Sequence, residues 1–297
     1  MEEDTGTGRI HFGHFKAATS HQTNLLLHYA PAEIPFRSSY TPKRWKEATN
    51  LMILKKEGIA DIDRLGTIVL FEADYNHNNK FLGRTMMQHC GRHSFLAKDQ
   101  YLVPGKKCID HVINQRLTFD IVWQQKTSMA MGSVDLSSCY DRVVHAPAYL
   151  TMRGFGIPGR PIQSMFDTYQ NTKFYSKSVH GKSKVTFSGV EDGFQAKPQG
   201  MGQGNGAGPP VWAVVSSRMF QILKKRYLVA SFSWPISRKE LELCRFAFVD
   251  DSDIIATSNN LNDPLATLKK CRIHWAPGRH QPKLQEGLWN QQKVLGI

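Results

Sequence analysis

The sequence predicts an α+β fold, and two observations carry that reading. Segments with the two-residue alternation of strands turn back on themselves over 173–190 and 245–257, and segments with helical spacing stand apart from them over 106–123, 145–153 and 211–227. The composition agrees, since 297 residues with 41% hydrophobic and 21% charged side chains suit a folded chain of two domains or one large one.

Taken in order, residues 1–40 form a His-rich, weakly patterned extension with a short helix expected near Thr23 to Tyr29. The run from Arg64 to Phe71 has a strand's composition, and Lys106 to Trp123 carries Ile109, Val112, Ile113, Leu117 and Ile121 at helical spacing. Ala130 to Leu136 is a short apolar strand in which Asp135 is the terminal acid. His145 to Arg153 is helical and stops at Gly154, and a second helix follows Pro158, whose ring suits a first turn. The hairpin over 173–190 turns at His180 and Gly181. A glycine-rich loop precedes the helix over 211–227, and a strand-turn-strand spans Arg245 to Thr257. After Asn259 the pattern decays, with Pro264, Pro277 and Pro282 against a regular element. Trp45, Trp123 and Trp212 sit in apolar contexts and are expected in the core.

Lys plus Arg number 38 against 25 Asp plus Glu, a formal charge of +13, which favours a polyanionic partner because each neutralised phosphate releases counterions. The excess concentrates in Arg37, Lys43, Arg44, Lys46, Lys55 and Lys56, with Glu47 as the single acid among them. Lys43, Arg44 and Lys46 are expected to follow a nucleic-acid backbone, while Trp45 and the apolar residues 51–54 give the segment a buried side. No apolar run approaches the ~18 residues of a membrane span, and the start is acidic where a secretory signal would be basic, so an intracellular protein is expected, with no membrane partner. The five cysteines are scattered, as in a reducing compartment. Neither His89, Cys90 and His93 nor Cys108 with His111 completes a four-ligand zinc spacing.

Three elements carry chemistry. Asp250 and Asp251 lie between two apolar runs, in the turn of a buried hairpin; alone, such a pair is an ordinary Asp-rich turn. Asp135 lies 115 residues before Asp250, at a strand's carboxyl end. Three carboxylates brought together repel unless cations neutralise them, and two Mg²⁺ ions so held serve in-line phosphoryl transfer. The third element is Gly200-Met-Gly-Gln-Gly-Asn-Gly-Ala-Gly-Pro-Pro210, glycine at alternate positions just before a helix. Its backbone can approach a nucleotide closely, although a flexible linker would have the same composition. It is neither a P-loop nor a true GxGxxG.

In this order the elements resemble the reverse transcriptase family over roughly residues 40 to 260. The resemblance is carried by Pro42, Trp45 and Lys46, by Leu54-Lys-Lys-Glu-Gly58 and Arg64 with Ile68, and by Gln100-Tyr-Leu-Val-Pro-Gly-Lys-Lys-Cys-Ile-Asp-His111. Val134-Asp-Leu-Ser-Ser-Cys-Tyr-Asp141, Gln203-Gly204 with Pro209, and Phe248-Val-Asp-Asp251 complete it. It implies a right-hand polymerase: an antiparallel palm sheet backed by helices over 126–260, with some finger-type insertions, after a fingers-like region over 41–125. Asp135, Asp250 and Asp251, with the Leu136 carbonyl, would hold two Mg²⁺ or Mn²⁺ ions. Lys55 and Arg64 would grip the incoming triphosphate, Gln203 and Gly204 would line the nucleotide pocket, and Tyr140 would be the aromatic gate against a ribose 2′-hydroxyl. Asp141 reads as structural. The partners implied are an RNA or DNA template with a primer, and dNTPs. The family's Gly-Gly block with its lysine is not found, so the thumb is expected to be truncated or absent and 261–297 to be an irregular tail. The function implied is an RNA-directed DNA polymerase of retrotransposon origin; the alternative is a catalytically inactive, nucleic-acid-binding remnant. Tyr140 and Val249-Asp-Asp in place of Gly-Asp-Asp argue against an RNA-templated RNA polymerase.

Overall fold

A computed structural model describes residues 12–18, 20–55, 65–135, 139–188, 190–191, 194–195, 197–226, 230–233, 240–243, 245–248, 251–258, 266 and 283–289. In chain order the elements begin α1 (Phe12–Ala18), α2 (Gln22–Ser38), β1 (Glu47–Leu54), β2 (Leu65–Leu70), α3 (Ala73–Arg92), α4 (Cys108–Gln125), β3 (Ser128–Asp135), α5 (His145–Gly154) and α6 (Gly159–Gln170). They continue β4 (Lys173–Ser178), β5 (Gly181–Phe187), β6 (Val190–Glu191), β7 (Phe194–Gln195), α7 (Gly208–Lys225), β8 (Ala230–Ser233), β9 (Glu240–Leu243), β10 (Arg245–Phe248), β11 (Asp251–Ser258) and β12 (Lys283–Trp289). The predicted α+β class holds, and the strand-turn-strand over 245–257 is β10 with β11. Among the described residues no helix is long and apolar enough to cross a membrane.

The chain forms two compact units. Unit 1 comprises Met1–Met86 with Tyr140–Val211, and unit 2 comprises Met87–Cys139 with Trp212–Ile297. The sequence suggests consecutive regions divided near residue 125, whereas the units are interleaved. The physical reason is strand pairing: β1 takes β2 as an antiparallel neighbour on one edge and the distant β4 as a parallel neighbour on the other, so 140–211 joins the N-terminal segment.

In unit 1 the sheet order is β2-β1-β4-β5. Its core is Trp45, Ala48, Val69, Phe71, Tyr75, Tyr169 and Phe174, all buried. The Tyr75 hydroxyl reaches the Met165 carbonyl of α6 at 3.0 Å, so this phenol is buried with its polar end satisfied. Trp45 sits in a 3₁₀ turn, Lys43–Lys46, that points its ring inward while the cations on either side stay on the surface.

In unit 2 the antiparallel order is β10-β11-β3-β12, with β8 and β9 as a separate pair. Tyr101, Val122, Met129, Ala230, Phe232, Phe246 and Ile255 form its core. The segment before α4 is fastened by polar bonds: Tyr101 N–H donates to the Ala247 carbonyl (2.8 Å), Gln100 Nε2 donates to the Ser216 hydroxyl (2.9 Å) and Lys224 pairs with buried Asp99 (3.0 Å).

Three expectations are corrected. The helix near 23–29 runs over Gln22–Ser38 and is closed by Ser39 in a left-handed conformation whose N–H bonds the Pro35 carbonyl; apolar residues spread around the helix gave no periodic signal of its length. The tail expected to be irregular contributes β12, which occupies the edge of β3 opposite β11. Trp45 and Trp212 are buried as expected, but Trp123 is 54% exposed.

Prediction: Trp45→Ala empties a site that is 2% exposed and should destabilise the protein by about 3–5 kcal/mol, read as a lower midpoint of chemical unfolding. A change below about 1 kcal/mol would mean that the turn is not anchored by the ring.

Candidate active site

In unit 2 the site-bearing element is the β3–β11 ladder. Eight residue pairs run from Ser258 opposite Ser128 to Asp251 opposite Asp135. Met129 and Ala130 on β3 and Ile254, Ile255 and Ala256 on β11 are all buried, and because successive side chains point to opposite faces, both faces of the ladder are covered along this stretch. Directly opposed residues in such a pair have Cα atoms about 4.5–5.5 Å apart. The ladder therefore brings Asp135 and Asp251, 116 positions apart in the chain, to one strand end. Asp251 is exposed, and its opposite neighbour on β10 is Phe248, so residues 249 and 250 form the connection. Asp250, Leu136 and Arg64 lie outside the described residues. Among the described residues no group of three metal-ligating side chains is found. The donor type at the strand end, carboxylate oxygen, is nevertheless the one that hard divalent cations take.

A further acid on β11 was not singled out from the sequence. Asp253, two residues on from Asp251 and opposite Ser133, accepts hydrogen bonds from Gln115 Nε2 (2.9 Å) and from the Ser133 hydroxyl, with His111 Nε2 at 3.8 Å. Its lone pairs are taken by the protein. The two-residue period of the strand was the available signal.

In unit 1 the glycine-rich loop is built for close contact. The Gln203 carbonyl accepts the Val69 N–H of β2 at 2.6 Å. Gly204 follows at φ +111, where an added Cβ would stand 2.4 Å from the Val69 carbonyl oxygen, and at Gly200 (φ +93) it would stand 2.6 Å from the Asp141 backbone. The side-chain amide of Asn76 on α3 closes the loop from the other side, donating to the Gly204 carbonyl (2.9 Å) and accepting from the Gly206 N–H (2.6 Å). Asn205 turns inward and accepts from Ala207 N–H at 2.9 Å. The flexible-linker reading of this segment therefore fails: its glycines allow backbone to pack on backbone. Gln203 and Gly204 are exposed on it.

Tyr140 belongs to a 3₁₀ turn, Cys139–Arg142; its carbonyl and that of Val143, just after the turn, accept the N–H groups of Met201 and Gly200, each at 2.8 Å. Its ring is half-buried, 3.8 Å from where a Cβ at Gly208 would lie, so the start of α7 sets its position. Lys55 is exposed just past β1, with its stem along Gly66 of β2. A cavity of about 350 Å³ within unit 1 is lined by Gln203, Asp141, Asn50, Thr67, Tyr169 and Phe174 among others. The Asn50 Oδ1 is buried without a hydrogen-bond partner from the protein. Burial raises the Asp141 carboxyl above its ordinary range, against the opposing effect of Arg142. Of the basic residues expected on nucleic acid, Arg44 pairs with Asp74 and Lys46 with Asp167 (3.1 Å), while Lys43 is exposed.

His145, which the sequence reading left without a role, holds the loop's first glycine. Its ring is stacked on Phe166, with centroids 4.3 Å apart, Nε2 is 2.6 Å from the Gly200 carbonyl and Nδ1 is 2.8 Å from Gln170 Nε2. Those partners assign the neutral tautomer with the proton on Nε2. Burial lowers its pKa, with the Gly200 carbonyl opposing.

A profile of the family described as reverse transcriptase (RNA-dependent DNA polymerase) matches residues 54–277. Among solved structures, apo telomerase from Candida tropicalis truncated of its C-terminal domain aligns with a TM-score of 0.52 and 13% identity, over 90% of this chain and 56% of that one. Apo telomerase from the same organism aligns at 0.51 and 13% identity, over 86% and 46%. Telomerase in complex with a TWJ fragment of telomeric RNA aligns at 0.50 and 14% identity, over 84% and 41%. The chain thus spans about half the length of these structures, and at this identity the likeness is one of fold. No curated protein matches the sequence.

Prediction: with a folded-state pKa below the unfolded 6.5, His145 binds fewer protons folded than unfolded, so its contribution is complete above about pH 6.5 and is lost as pH falls through the folded-state value. Unfolding midpoints at pH 7.5 and 5.5 should differ more in the wild type than in His145→Gln. Equal differences would mean that the ring titrates freely.

Proposed function

Because the chain belongs to the reverse transcriptase (RNA-dependent DNA polymerase) family, we propose that it extends a primer along a nucleic-acid template by nucleotidyl transfer, as an RNA-directed DNA polymerase of retrotransposon origin. The observation that carries this reading is the β3–β11 register, in which Asp135 stands opposite Asp251 at the end of the ladder, with Asp250 next to Asp251 in the sequence.

In the proposed reaction the primer's 3′-hydroxyl oxygen attacks the α-phosphorus of a dNTP. A phosphodiester bond forms, the bond to the β-phosphate breaks and pyrophosphate leaves. Asp135, Asp250 and Asp251, with the Leu136 carbonyl, would hold two Mg²⁺ or Mn²⁺ ions. When bound, such ions ease loss of the hydroxyl proton and offset charge on the leaving oxygen. The remaining work falls to the chain's own groups. Lys55, exposed past β1, and Arg64 would take the triphosphate, Arg with a bidentate fork. Gln203 and Gly204 would form the nucleotide's floor, a role supported by the bonds from Val69 and Asn76 that fix their backbone. Tyr140, braced by the start of α7, would exclude a 2′-hydroxyl. Lys43, Arg44 and Lys46 would contact template or primer phosphates, with Arg44 and Lys46 sharing or exchanging their present carboxylate partners. RNA or DNA template, primer and dNTPs are the proposed partners.

Prediction: with poly(rA)/oligo(dT), dTTP and Mg²⁺ or Mn²⁺, the purified chain should extend the primer. Asp251→Asn should lower the rate at least ~100-fold, about 2.7 kcal/mol of barrier, and leave primer-template affinity nearly unchanged, since affinity comes chiefly from phosphate contacts. A wild type that binds but does not extend overturns the catalytic reading in favour of an inactive remnant.

Prediction: Tyr140→Ala should raise kcat/KM for UTP relative to dTTP, because selectivity is the ratio of those terms. A proportional loss for both nucleotides, with a lower melting temperature, would show that the ring only packs.

A further inference from the structure

We propose that the sheet of unit 1 binds single-stranded nucleic acid on the face turned away from the Gln203 cavity, with phosphates on lysines of β4 and β5 and bases on apolar residues of β1 and β2. The proposal goes beyond the polymerase reading and does not rest on it, because binding is read without synthesis.

The two faces of this sheet are unlike. Asn50, Thr67, Val69, Phe174 and Phe187 line the cavity, so their neighbours along each strand project from the other side. There the register aligns one row across all four strands. Lys182 of β5 stands opposite Lys177 of β4, Lys177 opposite Leu51 of β1, and Leu51 opposite Ile68 of β2. One half of the row is cationic and the other half apolar. Lys182 is exposed and Leu51 half-buried, while Ile68 and Ile53, the latter two residues on from Leu51, are 39% and 40% exposed.

The lysine pair points to the occupant. Residues 173–187 hold four lysines and no acid. Lys173 stands opposite Glu47 of β1, but Lys177 stands opposite a second lysine, and like charges directly opposed across a ladder destabilise it. The Lys182 ammonium lies 3.8 Å from the centre of the Tyr175 ring, an attraction that holds it on this face. A phosphate between the two ammonium groups removes the repulsion and releases counterions. Adjacent strands are about 4.8 Å apart, so the apolar half begins one strand away from that phosphate, on the side where a single strand can lay its bases. A duplex keeps its bases stacked inside and would leave Leu51, Ile53 and Ile68 unused. A bilayer takes up apolar groups that reach past the cations, and the lysine stems here are longer than Leu or Ile.

The experiment is fluorescence anisotropy of labelled oligo(rU) with the purified chain over a range of salt, in EDTA and without dNTPs. The wild type should bind. Lys177→Gln with Lys182→Gln should lower the log-log salt slope by about 1.4 and the affinity about tenfold near physiological salt, while the melting temperature does not fall, since a like-charge pair has been removed. Lys177→Arg with Lys182→Arg should keep the wild-type slope. Ile68→Ser should weaken oligo(rU) binding at an unchanged slope and leave the binding of an RNA duplex of equal length as it was. An unchanged slope in the double glutamine variant overturns the proposal. An Ile68→Ser variant that binds oligo(rU) as the wild type does also overturns it, since the patch would then hold phosphate alone. Binding to phosphatidylserine vesicles that depends on the two lysines, with oligo(rU) binding indifferent to them, overturns it in favour of a membrane surface.

Discussion

Unit 2 depends on one register. Eight pairs between β3 and β11 decide which residues share the strand end, and that register is held not by the acids but by the apolar residues behind them, Met129, Ala130, Ile254, Ile255 and Ala256. Two carboxylate-bearing residues side by side repel. A slip of the register would separate them, but it would also re-pair every residue of the ladder and disturb the close packing of Met129, Ala130, Ile254, Ile255 and Ala256, which opposes it. The core therefore holds Asp135 and Asp251 at paired backbone positions on the strand end.

Unit 1 solves a different problem, that of bringing backbone close to backbone. At Gly200 and Gly204 a side chain would collide with the main chain of Asp141 and Val69. These positions also have positive φ, which glycine alone adopts without strain. Glycine-rich backbone has a large entropy to lose on ordering, and the loss is offset by side chains that act as brackets. Asn76 bonds the loop at Gly204 and Gly206, and His145 bonds it at Gly200. Each presents a polar group to a main-chain group that would otherwise lack a partner. The result is a glycine-rich loop bracketed at Gly200, Gly204 and Gly206, with Gln203 and Gly204 exposed.

How much of this was legible follows from the range of each signal. Strand and helix periods are local, so β2, β3, α4, α5, α6 and the hairpins β4–β5 and β10–β11 can be read from sequence with their turns. Asp135 and Asp251 were recognisable because their motifs resemble those of a known family; their facing each other is a long-range pairing that no local pattern encodes. The parallel pairing of β1 with β4 is invisible for the same reason, and so is the interleaving of the units that it produces. Asn76, His145, Gln115 and Asp253 were missed because their roles exist only across the fold: a lone Asn, His or Gln on a helix has no signature until its partner is known.

α4 shows the limit most sharply, since its apolar spacing identifies a helix without saying which face turns inward. The inward face carries Val122, with Phe119 and Ile121 packed against the same core, and it also meets Asp253, a carboxylate only 13% exposed on β11. An acid so enclosed is costly by several kcal/mol unless donors meet it, and Gln115 of α4 donates to it while His111 stands beside it. Rotating the helix to bury Ile109, Ile113 and Leu117 would recover only part of the ~1.5–3 kcal/mol that full burial of each is worth, since each is already about half covered. It would also carry Gln115 and His111 away from the acid. Core packing by Val122, Phe119 and Ile121 and the bonds to one carboxylate thus share the inward face, and Ile109, Val112, Ile113, Leu117 and Trp123 are left outside. The same β11 that carries Asp251 to the strand end meets, two residues later, the inward face of α4.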